Sequence, residues 1–402
     1  MVILSLVIIG ILANYSGKLV EKIKLPSLIG MMLVGMLIGP SFMDIVPAQT
    51  LQIAPKIKEI ALVTVLFIGG LGINVLQIKQ IGRPAILLSI IPATLEGFTI
   101  AYLCTILLDF TFVQGAILGF IIAAVSPAVL IPSMVSLINR KLGQDKAIPQ
   151  MLLVGASCDD TIAITLFTMF LSIYMSEVNG QNISILSQVI TIPVTIIFSI
   201  IIGLIVFKLT KKTIEKISSM QIKVMFGFGI CLMMRIVEIE LHITIFNSLL
   251  GVMVYGFFIR NYVEKSKDIL DEMNKIWKIG KLYLFSFVGM AINPLLVGEY
   301  FKIGITILTI SLFIRSIGVI ISLTGTNLNI KEKIFCVIAY LPKATVQSAK
   351  ASIPMQMGVS GGEIMQAIAI LSVLITAPIG AIGIKLSADK ILYKDEDIDK
   401  VN

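Results

Sequence analysis

The chain has 402 residues, 57% of them hydrophobic and 14% charged, with a mean hydropathy of +0.99. A soluble domain is about 45–50% apolar and about 25% charged, so polar residues are too scarce here to coat a water-exposed globule. The net charge of +8 does not gather into a basic face interleaved with aromatics, which excludes nucleic acid as a partner.

Thirteen apolar runs follow in chain order, at 2–17, 25–43, 58–78, 84–108, 114–139, 149–175, 182–207, 221–240, 243–260, 280–297, 300–325, 331–354 and 362–386. A span takes about 20 apolar residues. Runs this continuous are helices, because barrel strands alternate and are about ten residues long. The first run is short and holds Asn14 and Ser16. The largest polar stretch is Arg260 to Lys281, and the segment 387–402 reads as a short tail. There is no Walker sequence and no strand-flanked GxGxxG, so ATP-driven transport, enzymatic activity and a cofactor are not expected.

Of the 32 Lys and Arg residues, 25 fall in the odd-numbered loops and the tail, while only Lys56, Lys58 and Lys302 fall in the even-numbered loops. That bias places the N-terminus outside and the C-terminus in the cytoplasm of a multi-pass plasma-membrane protein. Four basic residues lie within spans: Arg235, Arg315, Lys343 and Lys350. Arg235 and Lys350 read as rim or snorkelling residues. Cys104, Cys158, Cys231 and Cys336 are isolated and form no CxxC pair, so neither a disulfide framework nor a zinc site is signalled. The single histidine, His242, rules out a His-based metal site and reads as an ordinary surface residue. With no basic n-region and no Ala-x-Ala site, a cleaved signal peptide is not expected.

Asp159 and Asp160 stand side by side inside the sixth run. Each carboxylate there costs several kcal/mol, with estimates from about 2.5 upward, which makes intramembrane acids functional candidates. A rise of 1.5 Å per residue sets the pair about 15 Å from the cytoplasmic end of its span. Arg315 comes out at about 15 Å, and Glu96, Lys343 and the Ser126-Pro127 step at about 18 Å. These features share one slab of the membrane. Proline removes a backbone donor and disfavours helix in the residue before it, so Ser126 and Leu341 are expected to unwind. Broken helices near the midplane, one in each half, point to an inverted-repeat transporter site. Thirteen spans then divide as six, a linker and six. Polar residues concentrated in one slab favour a carrier over a cation channel or leak, which would line a pore on several helices.

Four segments carry a more specific likeness: Ala124-Val-Ser-Pro-Ala-Val129 with Ile131-Pro-Ser-Met134, Gly155-Ala-Ser-Cys-Asp-Asp-Thr-Ile-Ala-Ile-Thr165, the Arg315 helix, and Lys331-Glu-Lys-Ile-Phe335 with Leu341-Pro-Lys-Ala-Thr-Val-Gln347. They resemble the cation/proton antiporter superfamily, within it the sodium/hydrogen exchangers of the NHA and NapA type, and the likeness covers nearly the whole chain. The resemblance implies a six-helix core moving against a dimerisation domain in a homodimer. Residues 1–78 and 221–297 would form the dimerisation side, 84–175 and 300–386 the core, and 182–207 the linker. It makes Asp159 and Asp160 the ion-binding pair, Arg315 the basic partner and Glu96 the acid facing it. Where the animal branch has an arginine, this chain has Ile68 in Phe67-Ile-Gly-Gly-Leu-Gly72, so no salt bridge runs through that position.

Successive helical residues point about 100° apart. Asp160 is therefore assigned as the main carrier and Asp159 as the partner of Arg315, the pair titrating as a coupled unit. Transported Na+ wants hard oxygen ligands. Asp159 and Asp160 supply carboxylates, with Ser126 and Thr161 as further candidates. Arginine stays charged, so Arg315 is a fixed counter-charge. A packing ion pair between Arg315 and Glu96 is compatible with that. Lys343 is expected to neutralise the carbonyl ends of the half-helices. The expected activity is secondary exchange of Na+ or Li+ for H+, with K+/H+ exchange open because these ligands do not fix cation size. The partners are monovalent cations, protons and membrane lipid.

Overall fold

The computed structural model describes residues 2–23, 26–73, 75–179, 185–241, 243, 245–291, 298–343, 351 and 353–394. Its named helices are α1 (Val2–Lys22), α2 (Ser27–Ile38), α3 (Ala48–Leu71), α4 (Val75–Leu107), α5 (Phe112–Ile122), α6 (Pro127–Asn139), α7 (Ile148–Asn179) and α8 (Ile185–Lys216). There follow α9 (Met220–Glu240), α10 (Ser248–Tyr262), α11 (Ser266–Met290), α12 (Phe301–Ser322), α13 (Ile330–Ala339), α14 (Ile353–Gln356) and α15 (Gly362–Ile391). Six helical segments among the described residues are long and apolar enough to cross a membrane: Val2–Lys22, Ile81–Leu107, Ile148–Val178, Pro193–Lys216, Phe301–Ser322 and Gly362–Ile391. The chain divides into two compact units, Met1–Gln77 with Thr195–Asn293 and Ile78–Val194 with Pro294–Asn402.

In the first unit, helices meet backbone to backbone. A Cβ on Gly70 of α3 would stand 2.0 Å from the Met253 carbonyl oxygen of α10, and one on Gly256 of α10 would stand 2.7 Å from the Phe67 carbonyl of α3. The α2–α11 pair repeats the device, with Gly35 against the Ser286 carbonyl and Gly289 against the Met32 carbonyl, each at 2.1 Å. Lipid tails are as apolar as leucine, so close approach through small residues takes over much of the work of helix association. The polar stretch from Arg260 to Lys281 is helical except at residues 263–265. α11 starts at Ser266 and buries Ile269, Leu270, Met273 and Trp277. That spacing is one face of an amphipathic helix, hidden from a run count because charges occupy the other faces. Likewise α8 continues to Lys216, past the end of its apolar run.

In the second unit the run 114–139 is two helices. α5 stops at Ile122, Ser126 is extended (φ −75°, ψ 106°), and α6 restarts with Pro127 in its first turn. Proline suits that position, where its missing N–H costs nothing and its φ is already helical. α13 stops at Ala339. Its continuation forms an antiparallel bridge between Lys343 and Val125, in which the Ser126 N–H donates to the Pro342 carbonyl at 2.8 Å. Each break thus satisfies part of the other's freed backbone. Capping boxes start both broken helices, Thr111 with Gln114 and Asn329 with Glu332. The Glu332 carboxylate also takes the Lys146 ammonium at 2.8 Å.

Candidate functional site

The paired breaks face the charged residues of their own unit. α7 presents Asp159 and Asp160, α4 presents Glu96, α12 presents Arg315, and Lys343 follows the α13 break. Exposure is 0% for Asp159, 7% for Asp160, 0% for Glu96 and 1% for both Arg315 and Lys343.

Arg315 is held on several sides. Its Nη1 donates to Glu96 Oε2 at 2.6 Å and to the Ala123 carbonyl at the end of α5. Its Nε donates to the Tyr340 carbonyl at 3.0 Å, at the end of α13. Its Nη2 reaches Asp159 Oδ2 at 3.4 Å. The Tyr340 ring lies 5.5 Å from the guanidinium carbon. Glu96 Oε2 also accepts from Lys343 Nζ, and the Ser311 hydroxyl is 3.5 Å from Glu96 Oε1. Asp159 Oδ2 accepts from the Val125 N–H at 2.8 Å. Among the described residues, Asp159 Oδ1 and the hydroxyls of Ser126 and Tyr340 are buried with no hydrogen-bond partner, a state rare enough in proteins to call for an explanation.

The structure therefore gathers Asp159, Arg315, Glu96, Lys343 and the Ser126 backbone into one connected network. Asp160 is next to Asp159 on α7, and the Thr161 hydroxyl donates at 3.3 Å to the Ser157 carbonyl of its own helix. Lys343 does not take the task set for it. Its ammonium is bonded to Glu96, its N–H donates to the Thr376 hydroxyl at 3.0 Å, and Arg315 reaches the two carbonyls instead. The guanidinium has five donors in a planar fork and can serve two carbonyls and two carboxylates at once, which a point-like ammonium cannot. Ser311, Tyr340 and Thr376 were not singled out in the sequence. Only Ser311 had a readable signal, four residues before Arg315 on the same helical face.

Arg235 is not a lone rim residue. It pairs with Glu59 of α3 at 3.0 Å and with Glu238 of its own helix at 2.6 Å, inside the first unit. Glu238 also accepts from the N–H and hydroxyl of Ser248 at the start of α10. Ile68 is buried in α3. His242 and Lys350 lie outside the described residues.

The model of one family, described as "Sodium/hydrogen exchanger, transmembrane", matches residues 3–389. Sodium/hydrogen exchanger 9B2 of Homo sapiens is 29% identical over 424 residues, covering 98% of this chain and 76% of that one. The 9B1 protein of Mus musculus is 28% identical over 409 residues, covering 98% and 72%. Among solved structures, the sodium proton antiporter MjNhaP1 from Methanocaldococcus jannaschii at pH 8 superposes with a TM-score of 0.78 at 19% identity, covering 97% of this chain and 98% of that one. At that identity the likeness is one of fold.

Proposed function

The chain belongs to the sodium/hydrogen exchanger family, and on that premise we propose that it trades Na+ or Li+ for H+ by letting cation and proton compete for Asp159 and Asp160. The observation that carries this is a pair of buried oxygens with lone pairs to give: among the described residues, Asp159 Oδ1 and the Ser126 hydroxyl have no hydrogen-bond partner. Three acids, Glu96, Asp159 and Asp160, stand with two bases, Arg315 and Lys343, and all five are at most 7% exposed. Glu96 is engaged by both bases. Taking a carboxylate out of water costs several kcal/mol, and a Na+ or a proton on the aspartates lowers that cost. An empty carboxylate is tolerable only where water reaches it, so occupancy and opening are coupled.

The ligand set follows from what the network leaves over. Arg315 occupies the Ala123 and Tyr340 carbonyls, which withdraws those two from the cation. Asp159 Oδ1 and the Ser126 hydroxyl keep free lone pairs. With Asp160, Thr161 and water they make the hard-oxygen shell that a small cation prefers. Asp160 is the main carrier. Arg315 stays with Glu96 and the carbonyls whatever the aspartates hold.

On this reading the protein spans the plasma membrane thirteen times as two inverted repeats joined by the linker 182–207, with the N-terminus outside and the C-terminus in the cytoplasm. The unit holding Ile78–Val194 and Pro294–Asn402 is the translocating core, which moves as a rigid body in alternating access. The unit holding Met1–Gln77 and Thr195–Asn293 is the side through which two copies form a homodimer. No cofactor is required.

The test is a dequenching assay of a pH-reporting dye in proteoliposomes with an imposed proton gradient. Na+ and Li+ should dissipate the gradient and Asp160→Asn should abolish the response, while dissipation by K+ in preference to both would make the chain a K+/H+ exchanger. Undiminished exchange by Asp160→Asn would overturn the assignment. Cation flux with no countermoving proton would make the chain a leak.

A further inference from the structure

Tyr340 joins features that are otherwise separate. Its carbonyl accepts from Arg315 Nε at 3.0 Å, and its ring lies 5.5 Å from the guanidinium carbon. Its hydroxyl is buried without a hydrogen-bond partner. A Cβ on Gly155 of α7 would stand 2.3 Å from that hydroxyl and 3.1 Å from the Leu88 Cβ. Gly155 is one helical turn before Asp159 on the same face. The tyrosine thus runs from the end of α13, past the arginine of α12, to the helix that bears the acidic pair. Gly155 makes room for its tip.

Resting on the proposed exchange site, we infer that Tyr340 is the positioning residue that sets how strongly Arg315 competes with the transported cation for Asp159. The cradle holds Nε and Nη1 on partners other than Asp159. Only Nη2 is left to face Asp159 Oδ2, at 3.4 Å, a long contact compared with the 2.7–2.9 Å of a tight charge-assisted bond. The ring holds the guanidinium plane in that orientation through its π face. Without it the arginine can close onto Asp159, where a fixed cation excludes a mobile one. The charged and titratable groups around Arg315 and Tyr340 are Glu96 from α4, Cys158 and Asp159 from α7, Lys343 after the break and Cys336 from α13.

Exchange kinetics in proteoliposomes separate this from a merely structural role. Tyr340→Leu should raise the KM for Na+ about tenfold, the low end of what losing a group that orients a metal ligand costs, move the pH profile of exchange to lower pH as Arg315 closes onto Asp159, and leave kcat within about twofold. Tyr340→Phe keeps the ring and should restore both the KM and the pH profile. Gly155→Ala pushes on the hydroxyl and should raise KM, and Tyr340→Phe in the same chain should reverse that change. The inference is overturned if Tyr340→Leu keeps the native KM and pH profile, or if Tyr340→Phe matches Tyr340→Leu. If Tyr340→Leu does not fold, the Gly155→Ala cycle decides alone, and absence of rescue sinks the idea. Asp160→Asn in parallel keeps the two readings apart. If it exchanges normally, the site is wrong. If it is inactive while the Tyr340 variants are unshifted, only the role of Tyr340 fails.

Discussion

Each unit contains an arginine set between two acids, and the two arrangements differ chiefly in access to water. In the first unit Arg235 lies between Glu59 and Glu238, whose side chains are 39% and 19% exposed. In the second, Arg315 lies between Glu96 and Asp159, at 0% each. Both triads carry one more negative than positive charge. Around Arg235 solvent takes up the excess, and the cluster fastens α9 to α3 and to the start of α10. Around Arg315 no solvent is available. Lys343 adds a second base on Glu96, Asp160 adds a third acid at 7% exposure, and under the proposed exchange this is where the carried ion binds. Exposure, rather than the tally of charges within each triad, is what separates the fastener from the candidate site.

The comparison breaks most visibly at the aspartates. Asp160→Asn removes the proposed carrier and should take Na+-driven exchange below detection in proteoliposomes, with Asp159→Asn weakening or abolishing it. Neutralising Glu238 in the solvated triad (Glu238→Gln) should leave exchange measurable under the same gradient. If Glu238→Gln silenced the carrier as Asp160→Asn does, exposure would not be the dividing property. Next in size is Glu96→Gln. It strands Arg315 and Lys343 together, and breaking one side of a buried ion pair costs about 3–5 kcal/mol. The measurement is the melting temperature in detergent, which should fall well below that of the native chain. An unchanged melting temperature would mean that water already reaches the cluster.

The frame of the candidate site was legible because membrane insertion is strict about a few things. Every backbone group must be satisfied and every charge costs energy, so apolar runs, Ser126-Pro127, Leu341-Pro342 and a slab of polar residues stand out in the letters. The partners were not legible. Proline announces that a carbonyl is freed but not which cation will take it, and Arg315 rather than Lys343 reaches Ala123 and Tyr340. That choice depends on side-chain reach across three helices, which no periodicity encodes. The polar half of α11 was read as a loop because its buried face is only one residue in three or four. Glu59 and Glu238 escaped notice because acids near span ends look like ordinary rim residues until Arg235 is seen between them.

The smallest effect belongs to Arg235. Partly exposed ion pairs contribute about 0–1 kcal/mol, and the Arg235 side chain is 16% exposed. Arg235→Gln loses both pairs but leaves Glu238 accepting from Ser248, so the cap on α10 survives. With two pairs lost, the expected result is a drop in stability of at most about 2 kcal/mol, read as a small fall in melting temperature, with Na+-driven exchange retained. Raising ionic strength should narrow the gap between Arg235→Gln and the native chain, because solvent-exposed charges are screened within about 10 Å at 0.1 M salt. The same salt should leave the larger Glu96→Gln gap standing, since sealed pairs are screened far less. If salt closed both gaps alike, the two triads would share one environment, and the aspartates would have no reason to hold a cation.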